Sequence, residues 1–135
     1  MKDSRVPDKM EPVGPECFEQ YIPTDTLTYV TWHGIRMTVR HMISMREVSG
    51  IVNNVVSLCL PDDKPSRIEL CELAIRAYVV MMYAGVELPS DIEKQHRLLF
   101  GTGLYDVVCN AVNSDQLGVI RDSVRAYIGR CVQWS

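Results

Sequence analysis

The sequence predicts an α+β domain, a β-hairpin near the N-terminus followed by four to five α-helices packed around a buried central helix. Three observations carry this reading. Residues 26–41 form two runs rich in β-branched and aromatic residues, joined by His33-Gly34. Beyond Ser44 the apolar residues recur at helical spacing. One of these segments, Arg67 to Ala84, is apolar on nearly every side, as a helix enclosed by others must be.

In the hairpin, glycine at position 34 supplies the positive φ of a two-residue turn. Alternation puts Leu27, Tyr29 and Thr31 on one face of the first strand. On the second strand Ile35, Met37 and Val39 share a face, and Arg36, Thr38 and Arg40 share the other. A lone hairpin is marginal in water, so its apolar face must lie on helices or pair with another chain.

Each helix has a start signal. Ser44 and Glu47 fit a capping box, with Ile43 and Val48 at the positions of a hydrophobic staple, and the stripe Val48, Ile51, Val52, Val55, Val56 follows. The turn PDDKP, residues 61–65, ends this helix. Ser66 and Glu69 form a second box opening Arg67 to Ala84, with Gly85 as its stop, and Ser90 and Glu93 form a third, for a helix to about Phe100. Gly101-Thr102-Gly103 separates it from a helix over Leu104 to Val112, and Asn113 with Gln116 starts the last. In the central segment Glu69, Glu72 and Arg76 form one narrow polar stripe, expected to face solvent.

The 135 residues suffice for one domain, which at this size buries roughly two-thirds of its unfolded surface. Residues 1–25, with Pro7, Pro12, Pro15 and Gly14 among charges, read as an extended N-terminal arm, and residues 26–135 as the single domain. Fourteen Lys+Arg against seventeen Asp+Glu give a formal charge of -3, the wrong sign for a protein held mainly by phosphates, so nucleic acid is not an expected partner. No uncharged apolar run approaches the ~18 residues of a membrane helix. The five cysteines, Cys17, Cys59, Cys71, Cys109 and Cys131, are unpaired in spacing, which points to a reducing compartment.

No reactive centre is legible. His33, His41 and His96 lack metal-ligand spacing, so neither metal nor cofactor is expected. Cys59, Cys71 and Cys109 sit among apolar neighbours, where a free thiol serves as a small hydrophobe. Asp62-Asp63 lies in a proline-flanked turn, and Gly101-Thr102-Gly103 lacks the lysine of a phosphate loop. What stands out concerns contact instead. Met37, Met42, Met45, Met81 and Met82 suit irregular surfaces. Trp32 beside the turn and Trp134 near the C-terminus are candidate anchors for a partner, together with His33, Arg36 and Arg40. Alanine at Trp32 is expected to leave folding largely intact while removing partner binding.

The order of these segments carries a resemblance. The T-W-H-G-I-R-M-T-V hairpin, the long helix ending Y-A-G-V-E-L-P, then D-I-E-K-Q-H-R-L-L-F and the closing N-S-D-Q-L-G-V-I helix resemble small proteins from the structural-gene modules of tailed bacteriophages of Gram-positive hosts. Some of these are tail-assembly-chaperone-like or tail-associated proteins. The resemblance spans residues 28–128, with Tyr83 to Pro89 as its most characteristic stretch, and it implies a non-enzymatic protein acting by protein–protein binding in tail or virion assembly. Expected partners are phage structural proteins, located in the host cytoplasm or the virion. Strand addition to the hairpin edge would be the mode of binding, with the arm ordering on the partner. An alternative of equal size and charge is a phage-encoded inhibitor of a host defence complex, anti-CRISPR-like, whose partner is a host defence protein. Self-association into a homo-oligomer is compatible with either.

Overall fold

A computed structural model describes residues 11–23 and 26–134 of the chain, with the side chains of 132–134 excepted. Its elements run, in order, α1 (Glu16–Glu19), β1 (Leu27–Trp32), β2 (Ile35–Arg40), α2 (Met45–Cys59), a 3-10 turn (Ile68–Leu70), α3 (Cys71–Ala84), α4 (Ile92–Gly101), α5 (Leu104–Cys109) and α6 (Ser114–Trp134). The α+β class is therefore as the sequence predicts, a hairpin followed by five α-helices.

β1 and β2 pair antiparallel, with Trp32 opposite Ile35 and Leu27 opposite Arg40. His33 (φ 50°) and Gly34 (φ 76°) both have positive φ, which makes a type I′ turn whose twist matches the strands. Pairs directly across the sheet share a face, so Thr28, Val30 and Trp32 join Ile35, Met37 and Val39. That face lies on the helices: Met37 and Val39 are buried, and Val30 and Trp32 pack against the core.

α2 begins as predicted. Ser44 Oγ accepts from the Glu47 amide at 3.1 Å, and the Ser44 amide donates to Glu47 Oε1 at 3.0 Å. Val48, Ile51, Val55 and Cys59 form its buried stripe. α3 is central, touching β2, α2, α4 and α5. It ends at Gly85 (φ 64°, ψ 29°), whose amide donates back to Met81 O.

Several boundaries differ from the sequence reading. The Ser66–Glu69 box does not form. The Arg67 amide instead donates to Cys59 O at 2.6 Å, satisfying the end of α2. This holds Arg67 at φ -127°, ψ 64°, outside helical space, so the chain enters α3 through a 3-10 turn and without a side-chain cap. The N-cap of α4 is Asp91, not Ser90: Asp91 Oδ1 accepts from the Glu93 amide at 3.2 Å. An anionic cap also complements the helix dipole, which a serine hydroxyl does less well. α5 stops at Cys109 rather than Val112, and Glu16–Glu19 makes one helical turn in the segment read as extended. The rest of the arm read as extended, residues 1–10 with 24 and 25, lies outside the described residues.

The polar stripe of α3 does not simply face solvent. Glu72 accepts from both terminal nitrogens of Arg121 on α6, each at 2.8 Å, and from Arg76 Nε at 3.0 Å. Arg76 also donates to Leu99 O on α4 at 2.9 Å and lies 4.2 Å over the Phe100 ring. Arg121 donates to the Tyr105 hydroxyl on α5. Two positions of one stripe thus tie four helices together.

Candidate protein-docking surface

The register of the hairpin decides which backbone groups face outward. The His41 amide donates to Thr26 O at 2.9 Å, continuing the ladder one step beyond the strands. Hydrogen-bonded and non-hydrogen-bonded pairs alternate in an antiparallel ladder, so Thr28–Val39, Val30–Met37 and Trp32–Ile35 are the bonded pairs. The amides and carbonyls of Tyr29 and Thr31 on β1, and of Arg36 and Thr38 on β2, therefore point away from the hairpin. The sheet contains these two strands alone among the described residues, so neither outer edge is paired with a strand.

The two edges are not equivalent. On the core-facing side Met37 and Val39 of β2 are buried, whereas Thr28 of β1 is exposed and Val30 and Trp32 are half-buried. β2 lies on α3, and β1, less buried, meets α5. β1 also lacks the charges, prolines and bulges with which edge strands are commonly blunted, since its sequence is LTYVTW. The face turned away from the helices carries Leu27, 50 % exposed, and Tyr29, 71 % exposed, beside Thr31, Arg36 and Thr38.

The five residues singled out from the sequence have different fates. Arg36 is exposed on this outer face and forms no ion pair with a described residue. His33 is exposed at the turn. Trp32 faces the helices: its ring meets His33 edge-on at 4.5 Å between centroids, and Nε1 donates to Thr102 O at 3.4 Å. Trp32 is half-buried against the core, so its truncation is expected to loosen the hairpin's seat. Arg40 is engaged within the fold, donating to both Glu47 carboxylate oxygens (3.3 and 2.8 Å) and to Met82 O (2.8 Å). Trp134 ends α6, and its side chain lies outside the described residues.

Arg40 and the Ser44 amide together hold the Glu47 carboxyl far below its ordinary value, at about 2. This charged junction fixes the base of β2 to the starts of α2 and the end of α3. At its other side His41 O accepts from the Asn113 amide at 2.9 Å, and His41 Nδ1 lies 3.2 Å from Ala111 O. The hairpin is thus held at its base through β2, while β1 meets α5 and pairs with no second strand among the described residues.

Burial pushes the Cys59 thiol up to about 11 and raises those of Cys71 and Cys109, the opposite of the activation a nucleophile needs. Among the described residues no three His, Cys, Asp or Glu side chains are placed to hold a metal ion. No helix of the described residues is long and apolar enough to cross a membrane.

Gln116 escaped the sequence reading, which assigned it to helix capping. It is buried and clamps the chain just after the hairpin: Nε2 donates to Ile43 O at 3.0 Å, and Oε1 accepts from the Ile43 amide at 2.9 Å and the Tyr83 hydroxyl at 2.5 Å. No local spacing signals such a clamp, because its partners lie 73 and 33 positions away. No protein-family model, curated protein or solved structure matches this chain.

Proposed function

We propose that this is a non-enzymatic bacteriophage protein that binds another protein during tail or virion assembly, taking an extended segment of its partner along β1. The observation that carries the reading is an uncharged edge strand with outward amides at Tyr29 and Thr31, held from behind by a fixed β2. Main-chain hydrogen bonds would supply the affinity of such a pairing, and the side chains on the adjoining face its selectivity. Tyr29 and Leu27 offer apolar contact, and Arg36 favours a partner segment that carries acidic residues. The order of the sequence segments supports the phage assignment, and the lack of a legible reactive centre supports a binding role.

The test is affinity recovery from infected cells with tagged protein, comparing wild type with Thr31→Pro and Tyr29→Lys. Proline at 31 removes an outward donor and spares the β1–β2 bonds, a position where edge strands tolerate it. Tail or capsid proteins should be recovered by wild type and lost by both variants, each with an unchanged melting curve. Equal recovery by all three proteins would overturn the reading, and recovery of a host defence nuclease would replace assembly by inhibition.

A further inference from the structure

Cys59 is the last residue of α2 and Cys71 the first of α3. The connection between them is exposed over residues 62–69. It folds back on itself: the Arg67 amide donates to Cys59 O at 2.6 Å, and the 3-10 turn over Ile68–Leu70 then delivers Cys71 to the end of α2. The two side chains meet there, with the Cys59 thiol donating a hydrogen bond to the Cys71 sulfur. The other cysteines are placed differently. Cys17 and Cys131 are exposed, and Cys109 has the Tyr105 hydroxyl as its partner.

The two thiols are not equivalent. Cys59 is fully buried, whereas Cys71 is half-buried and within reach of solvent. Arg121 and Arg125 favour the thiolate of Cys71, as does the bond it receives from Cys59. Cys71 is therefore the thiol that an oxidant meets first, and Cys59 stands behind it. That hydrogen bond already holds the sulfurs side by side, and a disulfide brings them to about 2.05 Å.

From this placement we infer that Cys59 and Cys71 form a disulfide latch, closed by a small-molecule disulfide such as oxidised glutathione, that locks the corner between α2 and α3. The Cys71 thiolate attacks one sulfur of the oxidant, forms a mixed disulfide and expels one glutathione thiolate. Cys59 releases its proton, attacks the Cys71 sulfur and expels the second. Two protein thiols are oxidised to one disulfide, and the glutathione disulfide is reduced to two thiols, which take up both protons. Burial keeps the two cysteines largely protonated near neutral pH, so closure is slow. The same burial denies the open pair any ionic stabilisation, so the closed latch resists reduction. A reducing compartment leaves the pair open, and closure records passage to an oxidising one. The hairpin takes no part, so the latch is independent of strand addition on β1.

The experiment uses the full chain carrying Cys17→Ser/Cys131→Ser, which removes the two exposed thiols. The protein is incubated with oxidised glutathione, alkylated in denaturant and mapped by mass spectrometry of a non-reduced digest. Cys59 and Cys71 should escape alkylation and appear as one linked peptide, while Cys109 is alkylated. The oxidised protein should show an unfolding equilibrium constant in urea at least about tenfold smaller than the reduced protein, because the link shortens the free loop of the unfolded chain. Dithiothreitol should restore the reduced value. Cys71→Ala in the same background should show no such gain, and the peptide map stands by itself should that variant fail to fold. Alkylation of both cysteines after prolonged incubation would overturn the inference, as would glutathione left on Cys71 without a link, or a link to Cys109. A linked protein that unfolds as easily as the reduced one would overturn the locking role.

Discussion

At the scale of single residues, Gln116 shows how one amide can hold a junction. It satisfies the amide and the carbonyl of Ile43, where the hairpin hands over to α2, and it accepts from Tyr83 at the end of α3. Buried polar groups without partners cost about 1–3 kcal/mol each, so the loss depends on how many are orphaned. Gln116→Leu strands both groups of Ile43 and the Tyr83 hydroxyl, and should destabilise by about 3 kcal/mol or more. Tyr83→Phe removes one donor and leaves the two bonds to Ile43, and should cost about 1 kcal/mol. Urea unfolding of the two variants measures both, and equal losses would show that Tyr83, not the chain at Ile43, is what Gln116 supports.

At the scale of elements, the turn of the hairpin carries a local conflict. A type I′ turn needs positive φ at both central positions, which Gly34 meets freely and His33 meets with strain, at φ 50°. Asparagine tolerates that region better. His33→Asn should therefore stabilise the protein by about 0.5 kcal/mol, read as a raised unfolding midpoint. A lowered midpoint would mean that the edge contact between His33 and Trp32 outweighs backbone strain. The helices pose a different question, since Glu72 and Arg121 link α3 to α6 while both are half-buried. Removing one partner leaves the other charge poorly compensated, so Glu72→Met and Arg121→Met should each cost about 2 kcal/mol and the double variant less than their sum. Additive losses in that cycle would reduce the pair to two unrelated surface charges.

The same elements explain what the sequence made legible. Ser44 and Glu47 satisfy each other three positions apart, and Gly85 answers a need for positive φ at its own position, so both could be read locally. Ser66 has the same pattern as Ser44 and fails, because Cys59 O, eight positions before Arg67, takes the Arg67 amide first. Strand alternation gave both faces of β2 but not which face β1 would leave bare, since that depends on how far the helices reach beneath it.

For the whole molecule, pH tests whether these charged junctions bear on stability together. Glu47, at about 2, and Glu72 both have carboxyls held below their ordinary 4.5 by arginines. A group whose pKa is lowered on folding stabilises above its unfolded value, and that contribution disappears as pH falls through the folded value. Stability should thus be full above about pH 4.5 and decline toward pH 2. In that interval Arg40, bound to Glu47, and Arg76 and Arg121, bound to Glu72, lose their counter-charges together, and the seat of the hairpin loosens along with the α3–α6 link. On the alkaline side the sign reverses. Burial raises Cys59 from 9.0 to about 11 and Tyr105 from 10.0 to about 12, so their contribution is present below about pH 9 and is lost as pH climbs through the folded values. Denaturant titrations across the range should trace a plateau between those limits. Glu47→Gln, which cannot titrate, should lower the plateau and flatten the acid limb, leaving the alkaline limb where it was. An acid limb of unchanged steepness in Glu47→Gln would assign acid sensitivity to Glu72 and separate the hairpin junction from the global transition.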